Sequence, residues 1–142
     1  MSSGTLEVML IGGQKIKSRD SFSKPDAYCI INYGNQSRWS NVARNQGSTP
    51  TWNTTFKFDV EYCPTDADDK HKITFRVMDE DLITADDELG GFEINAKRII
   101  SDGMMSGQTA WCLDTYNIIC RRNGNKYGEI RVGVRFLSKN QS

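Results

Sequence analysis

The stretch Thr49-Pro50-Thr51-Trp52-Asn53-Thr54-Thr55-Phe56-Lys57-Phe58-Asp59-Val60 decides the fold class. Its first half is turn chemistry, with Gly47-Ser48 just ahead of Thr49-Pro50. Its second half alternates: Phe56, Phe58 and Val60 fall on one side of an extended chain, and Lys57 and Asp59 on the other. Successive side chains of a strand point to opposite faces, so this pattern describes a strand with one dry face and one wet face. The same rhythm returns near the end, where Ile130, Val132, Val134 and Phe136 alternate with Arg131, Gly133 and Arg135.

Working outward, Leu6–Ile11, Tyr28–Tyr33, Ile73–Met78 and Phe92–Ile94 carry the aliphatic, β-branched and aromatic residues of strands. Arg38–Ala43 and Ala110–Leu113 are weaker candidates that bring the count to about eight. Gly12-Gly13, Gly34-Asn35, Asp66-Ala67-Asp68-Asp69 and Asn123-Gly124-Asn125 read as turns between them. One short helix is predicted over Asn95–Ser101, with Asn95 as its N-cap. Many short strands and almost no helix predict an all-β, eight-stranded antiparallel β-sandwich. The 142 residues suit a single domain, 1–142, with a core over about 5–138.

Composition excludes several functions. Eighteen Lys and Arg balance eighteen Asp and Glu, so no general positive field favours nucleic acid as a partner. No apolar run approaches the roughly 18 residues of a membrane-spanning helix, and MSSGTLEV has neither the basic start nor the apolar centre of a secretory signal. A cytoplasmic location is expected. Cys29, Cys63, Cys112 and Cys120 lack the paired short spacing of a zinc site and are expected to be reduced. His71, the single histidine, has no Ser or Cys beside it in a catalytic order and reads as an ordinary residue at a strand start. No enzymatic activity is expected.

The neutral total conceals a concentration of charge. Segments 20–26 and 79–88 hold Asp20, Asp26, Asp79, Glu80, Asp81, Asp86, Asp87 and Glu88 against Lys24 alone. Eight acids less one base is −7, which leaves +7 for the rest of the chain. Both segments lie between strands and therefore in loops. Oxygen ligands in excess of bases are what Ca²⁺ requires, yet aspartate is also common in solvated turns. On composition alone the two readings stand level. An EF-hand is excluded, because Ile83 and Thr84 occupy positions that need a ligand and a glycine.

Taken together, four features in order make the chain resemble a C2 domain over nearly its whole length. They are LEVMLIGGQKI, DSFSKPDAY, the TP-x-WN-x-x-F-x-F pattern at Thr49–Phe58, and VMDEDLITADDELGGFEI. In place of the family's usual Ser-Asp-Pro-Tyr this chain has Pro25-Asp26-Ala27-Tyr28. The closing GEIRVGVRFL, with few residues ahead of Leu6, resembles the circularly permuted type II strand order of small plant elicitor-responsive and phloem C2 proteins.

The resemblance implies two or three Ca²⁺ ions held by Asp20, Asp26, Asp79, Asp81 and Asp87, with Asp26 and Asp79 bridging. It adds backbone carbonyls of Arg19 and Glu80 and the Thr84 hydroxyl. Its implied function is Ca²⁺-dependent peripheral docking on anionic phospholipid membranes, with recruitment from the cytoplasm when Ca²⁺ rises. Phe22, Leu82 and Ile83 stand at the loop tips, either entering the interface or capping the sandwich end. Lys57, Lys72 and Arg76 are expected on one sheet face, as a headgroup site or simply a solvated surface. Trp39, Trp52 and Trp111 are expected as packing or turn anchors. The alternative function is a Ca²⁺-regulated protein-interaction module whose partner is a protein.

Overall fold

A computed structural model of the chain describes residues 2–19 and 23–139. Its elements run β1 (Ser2–Gln14), β2 (Ala27–Tyr33), β3 (Gln36–Trp39), β4 (Thr51–Tyr62), β5 (Lys72–Asp79), β6 (Asp87–Asn95), α1 (Lys97–Ser106), β7 (Cys112–Ile119) and β8 (Lys126–Ser138). All strand pairs are antiparallel, in the order β3-β2-β5-β6-β7-β8-β1-β4. Between β6 and β7 the ladder shrinks to a single pair, Gly91 with Ile119. The strands therefore fold over as two four-stranded layers, the expected sandwich. β8 lies between β1 and β7, as the permuted order requires.

The alternating positions meet between the layers. Leu6, Val8 and Leu10 of β1, Phe58 and Val60 of β4, and Ile130, Val132, Val134 and Phe136 of β8 form one side of the core. Cys29, Ile31 and Tyr33 of β2 and Ile73, Phe75 and Val77 of β5 form the other. The open side is closed by side chains. The Gln36 amide donates to the Asp59 carbonyl at 2.8 Å and accepts from the Asp59 N–H at 2.9 Å, while Arg38 donates to the Lys57 carbonyl at 2.9 Å. Edge strand β4 thus has part of its exposed backbone satisfied without another strand.

Several element boundaries differ from expectation. Gly12-Gly13 is not a turn: β1 runs through it with a register shift between Leu10 and Gly12. A Cβ on Gly12 would lie 2.7 Å from the Pro50 carbonyl oxygen, so the missing side chain lets β1 pass close to the segment before β4. β3 spans Gln36–Trp39 rather than Arg38–Ala43, because Gly34, at φ 59°, and Asn35 turn the chain at once; Ala43 makes only an isolated bridge to Ala27. β7 spans Cys112–Ile119 rather than Ala110–Leu113. Most of its residues are exposed, so it carries no alternation to read. The helix begins later and runs longer than expected. Ala96 is its N-cap, and Asn95 accepts the Lys97 N–H from one position outside, at 3.0 Å. None of the described helices is long and apolar enough to cross a membrane.

His71 is not an ordinary residue at a strand start. It is fully buried just before β5, with Nδ1 2.6 Å from the Tyr33 hydroxyl and Nε2 2.8 Å from Asp66. Tyr33 and Tyr62 flank its ring at 6.1 and 5.5 Å. Asp66 also accepts the Cys63 N–H, and this bond followed by the one to His71 lowers its carboxyl from 3.8 to about 2. All four cysteines are unpaired.

Two predictions follow from this packing. At Gly90, φ is +149° and a Cβ would lie 2.5 Å from the Ile119 carbonyl oxygen, where the layers join. Gly90→Ala is expected to destabilise the domain by about 2–3 kcal/mol, measured as a lowered midpoint in urea unfolding. A depressed carboxyl adds stability that is complete above its unfolded value and lost as pH falls toward its folded value. Stability should therefore drop between pH 3.8 and about 2, and Asp66→Asn should flatten that acid limb in urea titrations run across the window.

Candidate functional site: the acidic strand ends

Three of the expected aspartates are brought together by strand register. Asp26 immediately precedes β2, Asp79 ends β5 and Asp87 begins β6. Ala27 pairs with Asp79, and Asp79 with Asp87, so the three carboxylates belong to neighbouring strand ends. The Asp26 N–H donates to Asp79 Oδ1 at 3.0 Å, and the Glu80 N–H donates to the Asp26 carbonyl at 2.9 Å. The Asn45 N–H reaches Asp26 Oδ1 at 3.0 Å from the loop before β4.

Asp79 lies at the centre and shows it electrically. Burial raises its carboxyl pKa, and the Asp26 and Asp87 charges push the same way, against hydrogen bonds from the Asp26 N–H and Ser18. Like-charged carboxylates that raise one another's proton affinity also favour a cation of higher charge. Carboxylate oxygens are the donor type that a hard divalent ion such as Ca²⁺ takes, and here they come from strand ends that lie side by side. Arg19 Nη1 lies 4.0 Å from Asp87 Oδ1 and gives that carboxylate a weak counter-charge.

Asp81 is placed differently. Its Oδ1 accepts the N–H groups of Ile83 and Thr84 at 2.9 and 3.1 Å, and its Oδ2 accepts the Thr84 hydroxyl at 2.7 Å. The Thr84 hydroxyl and then these N–H groups hold the Asp81 carboxyl below its usual range. Asp81 and Thr84 are thus partners within their own loop. Asp20 and Phe22 lie outside the described residues. Among the described residues, no three His, Cys, Asp or Glu side chains are gathered into a ready metal cage. The backbone of Glu80 is tied to Asp26, and its side chain is ion-paired with Arg44. At the tip of the loop, Leu82 and Ile83 are 82% and 92% exposed, so neither caps the sandwich.

The three basic residues do not share a face. Lys72 and Arg76 point outward from β5, paired with Glu93 at 3.2 Å and Glu88 at 2.6 Å. Lys57 belongs to β4 in the other layer, near Glu7 at 3.8 Å. The expectation fails because Lys57 and the β5 residues come from strands at unrelated places in the sheet order. Of the tryptophans, Trp52 anchors to the Asn41 carbonyl at 3.0 Å and Trp111 stacks with Arg135, whereas Trp39 is 63% exposed and stacks on Tyr28.

Sequence reasoning missed Asp86. It accepts the Asp81 N–H at 2.8 Å and the Tyr28 hydroxyl at 2.5 Å. Tyr28 and then the Asp81 N–H lower its carboxyl; burial, and after it Asp86, pushes the Tyr28 phenol up to about 12. In the folded chain Tyr28 packs with Ile30 and Met78, and only the folded loop brings Asp86 over it.

Comparison with known proteins agrees with this architecture. The C2 domain family model matches residues 4–111. The chain is 40% identical over 137 residues to 16 kDa phloem protein 2 of Cucurbita maxima, covering 96% of this chain and 97% of that protein. It is 36% identical to elicitor-responsive protein 1 of Oryza sativa subsp. japonica, covering 96% and 86%. Among solved structures it resembles a C2 domain-containing protein from an elicitor-responsive gene, at 28% identity and a TM-score of 0.71, covering 99% and 93% of the two chains. The strand order, the inward rows of the two layers and these likenesses agree: the chain belongs to the C2 domain family.

Proposed function

We propose that this chain is a Ca²⁺-dependent phospholipid-binding module that docks peripherally on anionic membranes. The carrying observation is one end of the sandwich where Asp26, Asp79 and Asp87 sit on adjacent strand ends, with Leu82 and Ile83 exposed on the loop between β5 and β6. Asp26 and Asp79 are the central ligands, Asp87 closes the β6 side, and Asp20 and Asp81 complete the set of five. The Arg19 and Glu80 carbonyls and the Thr84 hydroxyl are further oxygen donors. Two or three bound Ca²⁺ ions supply positive charge and open coordination positions for phosphate oxygens.

The residues of the chain do the rest. Without a cation the −7 carried by segments 20–26 and 79–88 repels anionic headgroups. Two ions would bring the whole molecule from zero to about +4, with the change confined to that end. Leu82 and Ile83, and with them Phe22, then enter the interface, each contributing ~1.5–3 kcal/mol when fully buried. Asp81 must give up its bonds to Ile83 and Thr84 to face an ion, so binding and loop reshaping are linked. Lys72 and Arg76 remain candidates for a weak headgroup contact beside the loops. In the cell, the module rests in the cytoplasm and moves to the membrane surface when Ca²⁺ rises.

Co-sedimentation with phosphatidylserine vesicles tests this reading. The protein is expected in the pellet with Ca²⁺ and in the supernatant with chelator. Recovery in the supernatant at saturating Ca²⁺, with calorimetric Ca²⁺ binding intact, would instead favour the protein-interaction module. Asp79→Asn combined with Asp81→Asn should weaken Ca²⁺ binding by more than about a hundredfold in calorimetry, since ligand loss exceeds the 10–100-fold cost of losing a supporting partner. Leu82→Ser with Ile83→Ser should release the protein from vesicles while leaving that Ca²⁺ affinity unchanged.

A further inference from the structure

Asp86 and Asp87 are adjacent acids with different environments. Asp87 opens β6 beside Asp79. Asp86 has both carboxylate oxygens committed inside the protein, Oδ1 to the Asp81 N–H at 2.8 Å and Oδ2 to the Tyr28 hydroxyl at 2.5 Å. Tyr28 is a rigid anchor. It is 5% exposed, packs with Ile30, Met78 and Val42 on the outer side of β2 and β5, and stacks against Trp39 at 5.8 Å and 19°. The contacts form one chain, from Trp39 through Tyr28 and Asp86 to the Asp81 backbone.

This chain crosses the base of the segment that carries Leu82 and Ile83. Within that exposed segment the Asp81 carboxylate ties down only the tip, through Ile83 and Thr84, so the base is left to be held from outside at the Asp81 backbone. A hydrogen bond to an ionised carboxylate is among the stronger neutral-to-charged contacts available, and here it comes from a side chain held by the sheet. We propose that Asp86 is a positioning residue: gripped by Tyr28, it pins the Asp81 backbone and presets the 79–87 loop for its ligand, without itself binding the ion. The inference rests on the Ca²⁺ reading above, but its structural half concerns the loop with no ion bound.

The test therefore has two readouts on the full chain. In chelator, Tyr28→Phe and, separately, Asp86→Asn should speed amide hydrogen exchange at Asp81, Ile83 and Thr84 by about tenfold, as expected when a local tether is cut. Exchange at Ile31 and Phe75 in the core should not change. In calorimetry, each variant should weaken Ca²⁺ binding by about tenfold, the usual scale for a partner that orients a ligand. The double variant should be no worse than either single one, because both cut the same tether. Loop exchange within twofold of the unmodified chain in both variants overturns the proposal. So does faster exchange with unchanged Ca²⁺ affinity, provided Asp79→Asn abolishes binding. If neither the unmodified chain nor Asp79→Asn binds Ca²⁺, the proposed function fails and presetting for that ion falls with it, while the exchange rates still decide whether Tyr28 and Asp86 pin the loop.

Discussion

The register of β5 against β2 and β6 is the constraint on which the rest of the molecule depends. Ile73, Phe75 and Val77 are buried against the opposite layer, and a slip of one residue would turn all three toward solvent. That penalty fixes where β5 ends. Because Ala27 pairs with Asp79 and Asp79 with Asp87, the core also fixes which carboxylates become neighbours. The electrostatics of one end of the sandwich are thus set by apolar packing in its middle.

The two ends of β5 meet opposite problems. At its start, the polar ring of His71 is drawn in beside Tyr33 and Tyr62, where the Tyr33 hydroxyl at 2.6 Å and Asp66 at 2.8 Å satisfy both its nitrogens. At its finish, Asp79 is partly buried, and its hydrogen bonds do not make up for that burial, to which the like charges of Asp26 and Asp87 add. The first end is closed and internally matched. The second is left with excess negative charge, the condition expected of a place where the chain meets a cation.

Legibility in the sequence followed the same division. Strands with a buried face, such as Phe56–Val60 and Ile130–Leu137, announced themselves because burial writes a period of two into the residues. β7 left no such mark, since most of its side chains face water on both sides. Gly12-Gly13 is illegible for a related reason: a glycine pair signals a turn by default, and only the approach of Pro50 makes it a strand with a bulge. At the site, the aspartates were legible through family likeness and charge, but Asp86 was one acid among many until Tyr28 was placed beneath it. Lys57 stands apart from Lys72 and Arg76 in the fold, which the sequence does not reveal because residue type is visible in it and layer membership is not.

The likeness to a known family implied the permuted strand order; by itself, the sequence determined the fold class and the concentration of acid in two loops. These are local or compositional properties, carried by alternation, turn residues and charge counted along the chain. The tertiary structure alone decided which acids face one another, which are turned inward on their own loop, and which side chains reach across from another strand. Those outcomes depend on pairing register between segments tens of residues apart, and no local pattern encodes the distance between Tyr28 and Asp86. The neutral net charge is likewise a sum over the whole chain; its uneven placement acquires physical meaning only when folding gathers Asp26, Asp79 and Asp87 at one end.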